Sequence, residues 1–213
     1  MYAPKQFREK RPEVLVSAIR SIQFGAVVAP SANDLEAVHL PMVVQEGPEG
    51  FVLEGHVAVG NLFWKIAAGG AAGLAIFQGP QAYVHPGWYE TKKATGKAVP
   101  TWNYVAVHVR GRLSIERDPT WLRNHVAQLT SVNEAGRAEP WAVSDAPDDY
   151  IKAMLKTIVG IRLEIGAMEG VWKMIQHHPA ANRLGVIAGL SAEDNSGAQA
   201  VAAIMETESA DGG

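Results

Sequence analysis

The sequence contains no cysteine among its 213 residues. This absence excludes a disulfide framework, a thiolate metal site and a cysteine nucleophile, so redox chemistry would need a bound cofactor. Long apolar runs are also missing, since none approaches the roughly 20 residues of a membrane-spanning helix. The segment MYAPKQFREKRPEV is polar and charged where a signal peptide would be apolar,. We therefore expect a cytoplasmic protein with no membrane segment.

An excess of basic charge is missing as well. Lys and Arg number 19 against 22 Asp and Glu, which gives a net charge of −3, and the sequence pI is about 6.2. The broad positive field that supplies non-specific affinity for nucleic acid is therefore absent, and any contact with DNA would have to be local. Hydrophobic residues make up 47% and charged residues 19%, which is the balance of a globular protein,.

Proline and N-cap patterns predict the helices. Pro12 lies at a favourable first-turn position before the apolar stripe of EVLVSAIRSI, and Asp118 with Pro119 forms an N-cap followed by a helix-starting proline,. Further helices are predicted in NLFWKIAAGGAAG, near Pro147, in HPAANRLGVIAGL and in AEDNSGAQAVAAIM, with ETESADGG as a solvated tail. We predict one domain over residues 1–190, followed by a C-terminal helix and disordered tail over residues 191–213.

Alternating apolar residues predict the strands. The clearest strand starts at Val105, after which the apolar residues Val107, Val109, Leu113 and Ile115 alternate with polar residues as far as Glu116,. IVGIRLEIGAMEG alternates in the same way. FGAVVAP, EAVHLPMVV and FVLEGHVAV, connected by SAND and QEGPEG, predict an antiparallel meander, and LAIFQG and QAYVH predict two short strands separated by Gly79 and Pro80. These elements favour an α+β barrel, because the strict βαβ order and GxGxxG motif of a doubly wound fold are missing.

Common catalytic and metal-binding motifs are absent. ATGKA around Lys97 lacks the glycine of a phosphate-binding loop, since Thr91 stands at that position, and we predict a mobile, solvated flap carrying lysines,. No HExxH or GxSxG motif occurs, and the adjacent rings of His177 and His178 should point apart in a helix or strand. A dedicated metal site is therefore not expected, and His125 is interpreted as an ordinary hydrogen-bonded residue.

Aromatic residues cluster in HPGWYETKKATGKAVPTWNYVAVHV, which contains Trp88, Tyr89, Trp102 and Tyr104. Flat rings with polar edges suit stacking on a planar ligand or a contact between subunits. Simple packing in the core explains such residues equally well. The residue chemistry alone leaves these alternatives open.

Several segments together resemble the PaiB-like family of FMN-binding negative transcriptional regulators. They are MYAPKQF, the HLP at His39–Pro41, the GH at Gly55–His56 with Asn61 and Trp64 after it, and PGWYET…VPTWNYVAVHV. The resemblance extends from Met1 to about Leu190. It implies an FMN-binding split β-barrel, which is an antiparallel, Greek-key-like barrel with flanking helices, in a homodimer with flavin at the subunit interface.

The resemblance also implies a set of cofactor-binding residues. Those near the phosphate end of the flavin would be His56, Ala58, Asn61 and Trp64, and those near the ring or its lid would be Trp88, Tyr89, Thr101, Trp102 and Asn103. His39, Lys173 and Gln176 complete the predicted site, the last two as residues that could reach across the dimer. No catalytic residue is predicted.

Two departures from the family pattern concern the binding of an anionic cofactor. The family reads like ARANP where this chain has AVGNL, so Val59 replaces a cation that could pair with phosphate,. WKMIQH stands where the family has WKLSQN, so Ile175 replaces a hydroxyl and His177 an amide,. Both changes predict weaker FMN binding. Arg110, Arg112 or a lysine of the flap could compensate, although the two arginines also fit a solvated strand face.

Three functions follow from these observations. The first is a dimeric, FMN-binding negative transcriptional regulator, although no basic recognition helix supports direct contact with DNA. The second is a flavin-dependent oxidoreductase, in which His56, His85 or Tyr89 could supply a proton. The third is a dimeric relative without a cofactor, in which the aromatic residues pack an interface.

Overall fold

A computed structural model describes residues 1–32, 34–47 and 50–210. The predicted turns at Asn33 and at Pro48–Glu49 lie outside the described residues. The chain forms two compact units, each assembled from separate segments. Unit 1 contains Met1–Leu15, Gln78–Val107 and the described residues from Glu169 onward, and unit 2 contains Val16–Phe77 and His108–Met168. The predicted domain boundary at residue 190 stays a prediction.

The described residues contain seven α-helices and eight strands. The helices are α1 Pro12–Ile22, α2 Phe63–Ala68, α3 Glu90–Thr95, α4 Pro119–Glu134, α5 Asp148–Leu155, α6 Ala180–Ser191 and α7 Ser196–Ala210. The strands are β1 Arg8–Glu9, β2 Phe24–Pro30, β3 Leu35–Pro41, β4 Val43–Gly47, β5 Gly50–Ala58, β6 Ala72–Val84, β7 Thr101–Glu116 and β8 Ile158–Lys173. Single turns of 3₁₀ helix occur at Lys5–Phe7, Pro86–Trp88 and Val143–Asp145. No described helix is long and apolar enough to span a membrane.

Most predicted elements are confirmed. The Asp118 side chain accepts a hydrogen bond from the backbone of Trp121 and so caps α4 as predicted,. In β7 the predicted inward residues Val109 and Leu113 are fully buried. At the C-terminus, α7 continues beyond Met205 to Ala210, so the tail predicted from Glu206 is helical as far as Ala210, and residues 211–213 lie outside the described residues.

Strand pairing confirms the antiparallel neighbours of the predicted meander, β2 with β3 and β4 with β5, but divides its middle segment into two strands. The strands are hydrogen-bonded in the order β3-β2-β6-β7-β8-β5-β4, with β1 paired to β8. EAVHLPMVV is interrupted at Met42, which is buried and whose backbone N–H donates to the Gln23 carbonyl. The two halves of this segment therefore become β3 and β4, at opposite ends of the strand order. Leu40, Val43 and Val44, on either side of Met42, are all buried, so the apolar pattern does not reveal the break.

The predicted break at Gly79 and Pro80 does not occur. LAIFQG and QAYVH belong to one strand, β6, which passes through both residues. A proline removes a single hydrogen-bond donor from a strand, and it can be accommodated at an edge or a bulge. The prediction that a strand ends at these two residues is therefore wrong.

In unit 2 the antiparallel sheet curls, so that β3 and β5 come into contact. Gly55 makes this approach possible, because a Cβ at its position would lie 2.4 Å from Leu40 Cδ1 and 3.1 Å from the Pro41 carbonyl oxygen. The inward side chains of this curled sheet are buried, including Leu53 and Leu163, which face each other across β5 and β8. The predicted α+β class, with an antiparallel half-barrel sheet and flanking helices, is confirmed.

Unit 1 has its own apolar core beside the ends of β6, β7 and β8. Tyr89, Met174, Ile175, Leu190 and Met205 are buried together there with residues of α6 and α7. A smaller cluster of Ala3, Phe7 and Val171 packs at the N-terminus. These clusters pack against the ends of β7 and β8 that carry Thr101, Trp102, Asn103 and Lys173.

Candidate functional site

A groove in unit 1 contains three of the predicted site residues. Tyr89, Thr101 and Lys173 line it together with Phe7, His178 and Asn182, and its volume is about 620 Å³. We name it the Lys173 groove. This volume is within the range of small-molecule sites, which commonly combine apolar walls with a few polar groups.

The ammonium group of Lys173 is the cationic centre of this groove. Lys173, at the end of β8, donates hydrogen bonds to Thr101 Oγ1 at 2.5 Å and to the Trp102 carbonyl oxygen at 2.6 Å. Partial burial lowers the pKa of Lys173 from its ordinary value,. Because an ammonium carries three N–H donors, one donor remains for an acceptor atom of a ligand.

Aromatic rings form one wall of the Lys173 groove. Tyr89 is stacked on His178 with ring centroids 5.0 Å apart, and Phe7 meets the edge of His177 at 5.4 Å. The rings of His177 and His178 do not point apart as predicted, because the residues lie in a turn and their centroids are 4.5 Å apart. Burial, together with the charge of His177, lowers the pKa of His178.

The turn before these histidines has an unusual backbone. Ile175 has a φ of 50°, in the left-handed region that β-branched residues rarely adopt,. Its side chain is nevertheless buried in the core of unit 1. Ile175 therefore supplies apolar packing where the family pattern has a hydroxyl, and it holds the chain in the conformation that presents His177 and His178.

The predicted flap is partly helical. Its first half forms α3, and the buried side chain of Asn182 ties this helix to α6. Asn182 accepts from the Thr91 backbone N–H at 3.0 Å and donates to Thr91 Oγ1 at 2.9 Å. The lysines of this part are exposed, as predicted for a solvated flap, and its mobility stays a prediction. Sequence reasoning also missed Asn182, since its partner is far away along the chain.

Trp88 and Trp102 lie in a second groove of unit 1, apart from Tyr89, Thr101 and Lys173. This groove has a volume of about 500 Å³ and is also lined by Tyr83 and His85. The Tyr83 and Trp102 rings meet edge to face at 6.0 Å, and the His85 and Trp88 rings do so at 5.7 Å. The predicted ring-binding residues are thus divided between two surfaces.

Two other predicted residues of unit 1 have structural hydrogen bonds. Asn103 is fully buried and its Nδ2 lies 3.3 Å from Met205 Sδ, while its Oδ1 has no hydrogen-bond partner among the described residues. Gln176 accepts from the Met174 backbone N–H and donates to the Trp172 carbonyl oxygen. Neither residue lines the Lys173 groove.

In unit 2, three predicted residues follow one another from the end of β5 into α2. Ala58 is exposed at the strand end, Asn61 Oδ1 accepts from the Phe63 backbone N–H at 3.1 Å, and Trp64 Nε1 donates to the Val59 carbonyl oxygen at 2.9 Å. His39 is exposed on β3 and stacks on Phe24. Asn61 Oδ1 and Trp64 Nε1 therefore stabilise the turn through these two hydrogen bonds.

Arg117 joins this turn and was missed from the sequence. Its guanidinium carbon lies 4.4 Å from the centroid of the Trp64 ring, and Lys65 Nζ lies 5.7 Å from the same centroid. A cation over an indole face is an attractive contact. Nothing in the sequence relates Arg117 to Trp64, since Arg117 is simply the residue that follows β7.

His56, the remaining predicted residue, is paired with a buried histidine. His56 Nδ1 lies 3.1 Å from His125 Nε2, and Trp121 stacks on His125 with centroids 5.1 Å apart. Burial lowers the pKa of His125 to about 4, with a smaller contribution from His56, and burial also lowers the pKa of His56. The pair is therefore neutral at pH 7 and shares one hydrogen bond, which confirms His125 as a hydrogen-bonded histidine. Among the described residues, no group of three or more His, Asp or Glu is arranged to hold a metal ion.

Comparison with known proteins agrees with these features. Residues 1–167 match the family described as "Putative FMN-binding domain". The chain is 30% identical over 207 residues to "Protease synthase and sporulation protein PAI 2" of Bacillus subtilis, a match that covers 97% of each protein.

Solved structures show the same fold. The FAD and haem binding protein of Mycobacterium smegmatis has a TM-score of 0.60 at 15% identity, over 83% of this chain and 78% of that one. A conserved hypothetical protein of Mycobacterium tuberculosis has a TM-score of 0.60 at 9% identity, over 84% of this chain and 94% of that one. The family match and the Bacillus relative confirm the resemblance seen in the sequence. The chain belongs to the PaiB-like family of proteins with an FMN-binding domain.

Proposed function

We propose that this chain binds a flavin, and that the flavin is FMN. The Lys173 groove carries the proposal, because it combines aromatic walls with a half-buried ammonium group that has a free donor. Membership of the family and the flavin bound by the mycobacterial structural relative support it. Bound flavin would supply electron transfer, which the side chains of this chain cannot perform.

The residues of the groove fit a flavin ring chemically. Tyr89 and His178 offer a stacked aromatic surface, and Lys173 offers a cation that can donate to a carbonyl or ring nitrogen of the cofactor,. Thr101 and the Trp102 carbonyl hold that cation in place. Lys173 is thus a residue of the proposed binding site. The assignment of Trp88, Trp102 and Asn103 to the ring or its lid remains a proposal, since none of them lines this groove.

Flavin titration tests the proposal. Protein freed of bound flavin should quench FMN fluorescence on binding, and Lys173→Met should weaken binding about tenfold to a hundredfold, because a hydrogen bond to a charged group contributes about 1.5–3 kcal/mol. Lys156→Met, on the exposed end of α5, is the control and should bind like the wild type. Absence of FMN binding by the wild type would support the cofactor-free alternative.

We propose a regulatory role for the flavin-binding protein, in agreement with the family resemblance. The Bacillus relative's name refers to protease synthesis and sporulation. With a net charge of −3, direct repression would need a local DNA contact or a partner,. A cytoplasmic homodimer is part of this proposal. Gel-shift assays on promoter DNA across a salt series test it, and only weak binding that does not depend on sequence would argue against direct repression.

A flavin-dependent oxidoreductase is the second candidate. It is favoured by the titratable side chains in the Lys173 groove, where burial raises the pKa of Tyr89 and lowers that of His178. These residues could hold or deliver a proton beside a bound ring. FMN-loaded protein should then be bleached by NADH or NADPH under anaerobic conditions, and a spectrum that does not change with either donor would contradict this candidate.

A further inference from the structure

The second groove of unit 1 combines aromatic rings with a carboxylate. We name it the Glu193 groove and define it by Tyr83, His85, Trp88, Trp102 and Glu193. Its volume of about 500 Å³ is within the range of small-molecule sites,. Glu193 supplies the one carboxylate of its lining, and no Lys or Arg is among the described residues that line it. The groove therefore differs in charge from the Lys173 groove.

Four rings in two pairs form the walls of the Glu193 groove above an apolar floor. The planes of Tyr83 and Trp102 meet at 73°, and those of His85 and Trp88 meet at 82°. Leu190, on the floor, is fully buried. Rings at nearly right angles form a corner and not one flat platform, so this lining suits a compact, rounded group better than an extended planar one.

The charge of Glu193 is available to a ligand. Its carboxylate makes no hydrogen bond or ion pair with another described residue, and only its backbone carbonyl accepts, from Gln199 Nε2. The neighbouring helix α7 does not need this carboxylate as a cap. Asn195 fills that position, because its Oδ1 accepts from the Ala198 backbone N–H at 3.0 Å,.

A carboxylate beside aromatic rings selects a cationic ligand. The face of an aromatic ring attracts a cation, and quaternary or N-methylated ammonium groups are bound in cages of such rings. An anion would meet the Glu193 carboxylate with no lysine or arginine of the described lining to balance it. The phosphate of FMN is such an anion, so the Lys173 groove suits that cofactor better.

We propose that the Glu193 groove binds a small organic cation, whose quaternary or N-methylated ammonium group lies between the rings with the Glu193 carboxylate as its counter-charge. The inference goes beyond the proposed flavin binding and does not rest on it. It gives Trp88 and Trp102 a ligand other than flavin. Small-molecule sites are common at interfaces, so the site is compatible with a contact between subunits at Trp102.

Choline and its neutral carbon isostere test the proposal, because the two probes have the same shape and only choline is charged. In calorimetric titrations the wild type should bind choline at least about tenfold more tightly than the isostere. Glu193→Gln should weaken choline binding about twofold to fivefold, the range of an exposed ion pair, and leave the isostere unaffected. Tyr83→Leu should weaken choline binding about threefold to tenfold by removing one ring.

Asp194→Asn is the matched control. Asp194 is the adjacent, exposed carboxylate and does not line the groove, so this variant should bind choline like the wild type. Equal affinity of the wild type for the two probes, or no binding of choline, would overturn the inference. Equal weakening by Glu193→Gln and Asp194→Asn would show attraction by the general negative field alone and would also overturn it.

Competition with FMN separates this inference from the proposed function. An excess of FMN should leave choline binding unchanged, because the two ligands occupy different grooves. Displacement of choline by FMN would assign Trp88 and Trp102 to the flavin and overturn the inference while flavin binding stands. If the wild type binds choline with the expected preference but does not bind FMN, the proposed function fails and the cation site stands.

Discussion

At the scale of single residues, burial controls the charge of His125. Its ring lies between Trp121 and His56, and its Nδ1 has no hydrogen-bond partner among the described residues. An imidazolium would be poorly solvated there, which explains the lowered pKa of about 4,. In the unfolded chain the same ring takes up a proton near its ordinary pKa of 6.5. The two states therefore bind different numbers of protons between these pH values.

This difference predicts a loss of stability in acid. Above pH 6.5 His125 is neutral in both states and contributes no pH dependence. Between pH 6.5 and 4 the unfolded state binds more protons, so the free energy of unfolding should fall by up to about 3 kcal/mol because of this one residue. Urea unfolding of the wild type and of His125→Gln across this range measures the effect.

The variant should flatten the pH dependence of stability. Glutamine keeps an N–H donor for His56 but has no ionisable group in this range. His39→Gln, which alters an exposed histidine of β3, is the matched control and should follow the wild-type curve. Identical slopes for the wild type and His125→Gln would contradict the prediction.

Sequence reasoning identified residue types at the candidate site more reliably than their partners. Tyr89, Thr101 and Lys173 meet in one groove as expected of a site. Asn103 and Gln176, however, have structural bonds in the core and in a turn. The sequence of a motif does not show whether an Asn or Gln side chain will bind a cofactor or the protein backbone. Arg117 was missed because its contact with Trp64 depends on the folded chain.

At the scale of elements, two glycines of α6 allow it to pack against the turn at Pro86–Trp88. A Cβ at Gly185 would lie 2.2 Å from the Trp88 carbonyl oxygen, and one at Gly189 would lie 2.3 Å from the Trp88 ring. The two glycines are four residues apart and therefore share a helix face. Small residues are required on this face, although glycine weakens an isolated helix.

We expect Gly185→Ala to destabilise the protein by up to about 2 kcal/mol. Helix propensity alone would favour alanine by about 1 kcal/mol, but the overpacked contact costs about 1–3 kcal/mol, and a backbone oxygen cannot move away like a side chain. Chemical denaturation measures the change. Gly60→Ala, where a Cβ would meet nothing within 4 Å, is the control and should keep wild-type stability. Increased stability of Gly185→Ala would show that α6 shifts freely.

Elements with local signals were predicted well, and elements defined by distant partners were not. The capping of α4 and the alternation of β7 depend on neighbouring residues, so both could be recognised in the sequence. The positions of β3 and β4 in the sheet depend on β2 and β5 as pairing partners. The two antiparallel pairs of the predicted meander are confirmed, whereas the division of its middle segment into β3 and β4 at Met42 was not predicted.

At the scale of the whole molecule, the exposed aromatic surface of unit 1 favours the proposed homodimer. Trp102 is 53% exposed and Tyr83 is 46% exposed, and their rings touch each other. Large exposed rings contribute little to the core, whereas aromatic side chains are enriched at the centres of interfaces between subunits. Their arrangement agrees with the hypothesis that aromatic residues of this segment pack a dimer contact.

Light scattering after size-exclusion chromatography should therefore give about twice the chain mass of 22.9 kDa. Trp102→Glu should shift the mass toward a single chain, because a buried carboxylate without a partner is costly at an interface. The substitution spares the Trp102 carbonyl that accepts from Lys173, so unit 1 should remain folded. Trp141→Glu, at a residue of unit 2 that is 45% exposed, is the matched control and should stay dimeric. A monomeric wild type, or equal masses for Trp102→Glu and the wild type, would contradict an interface at this surface.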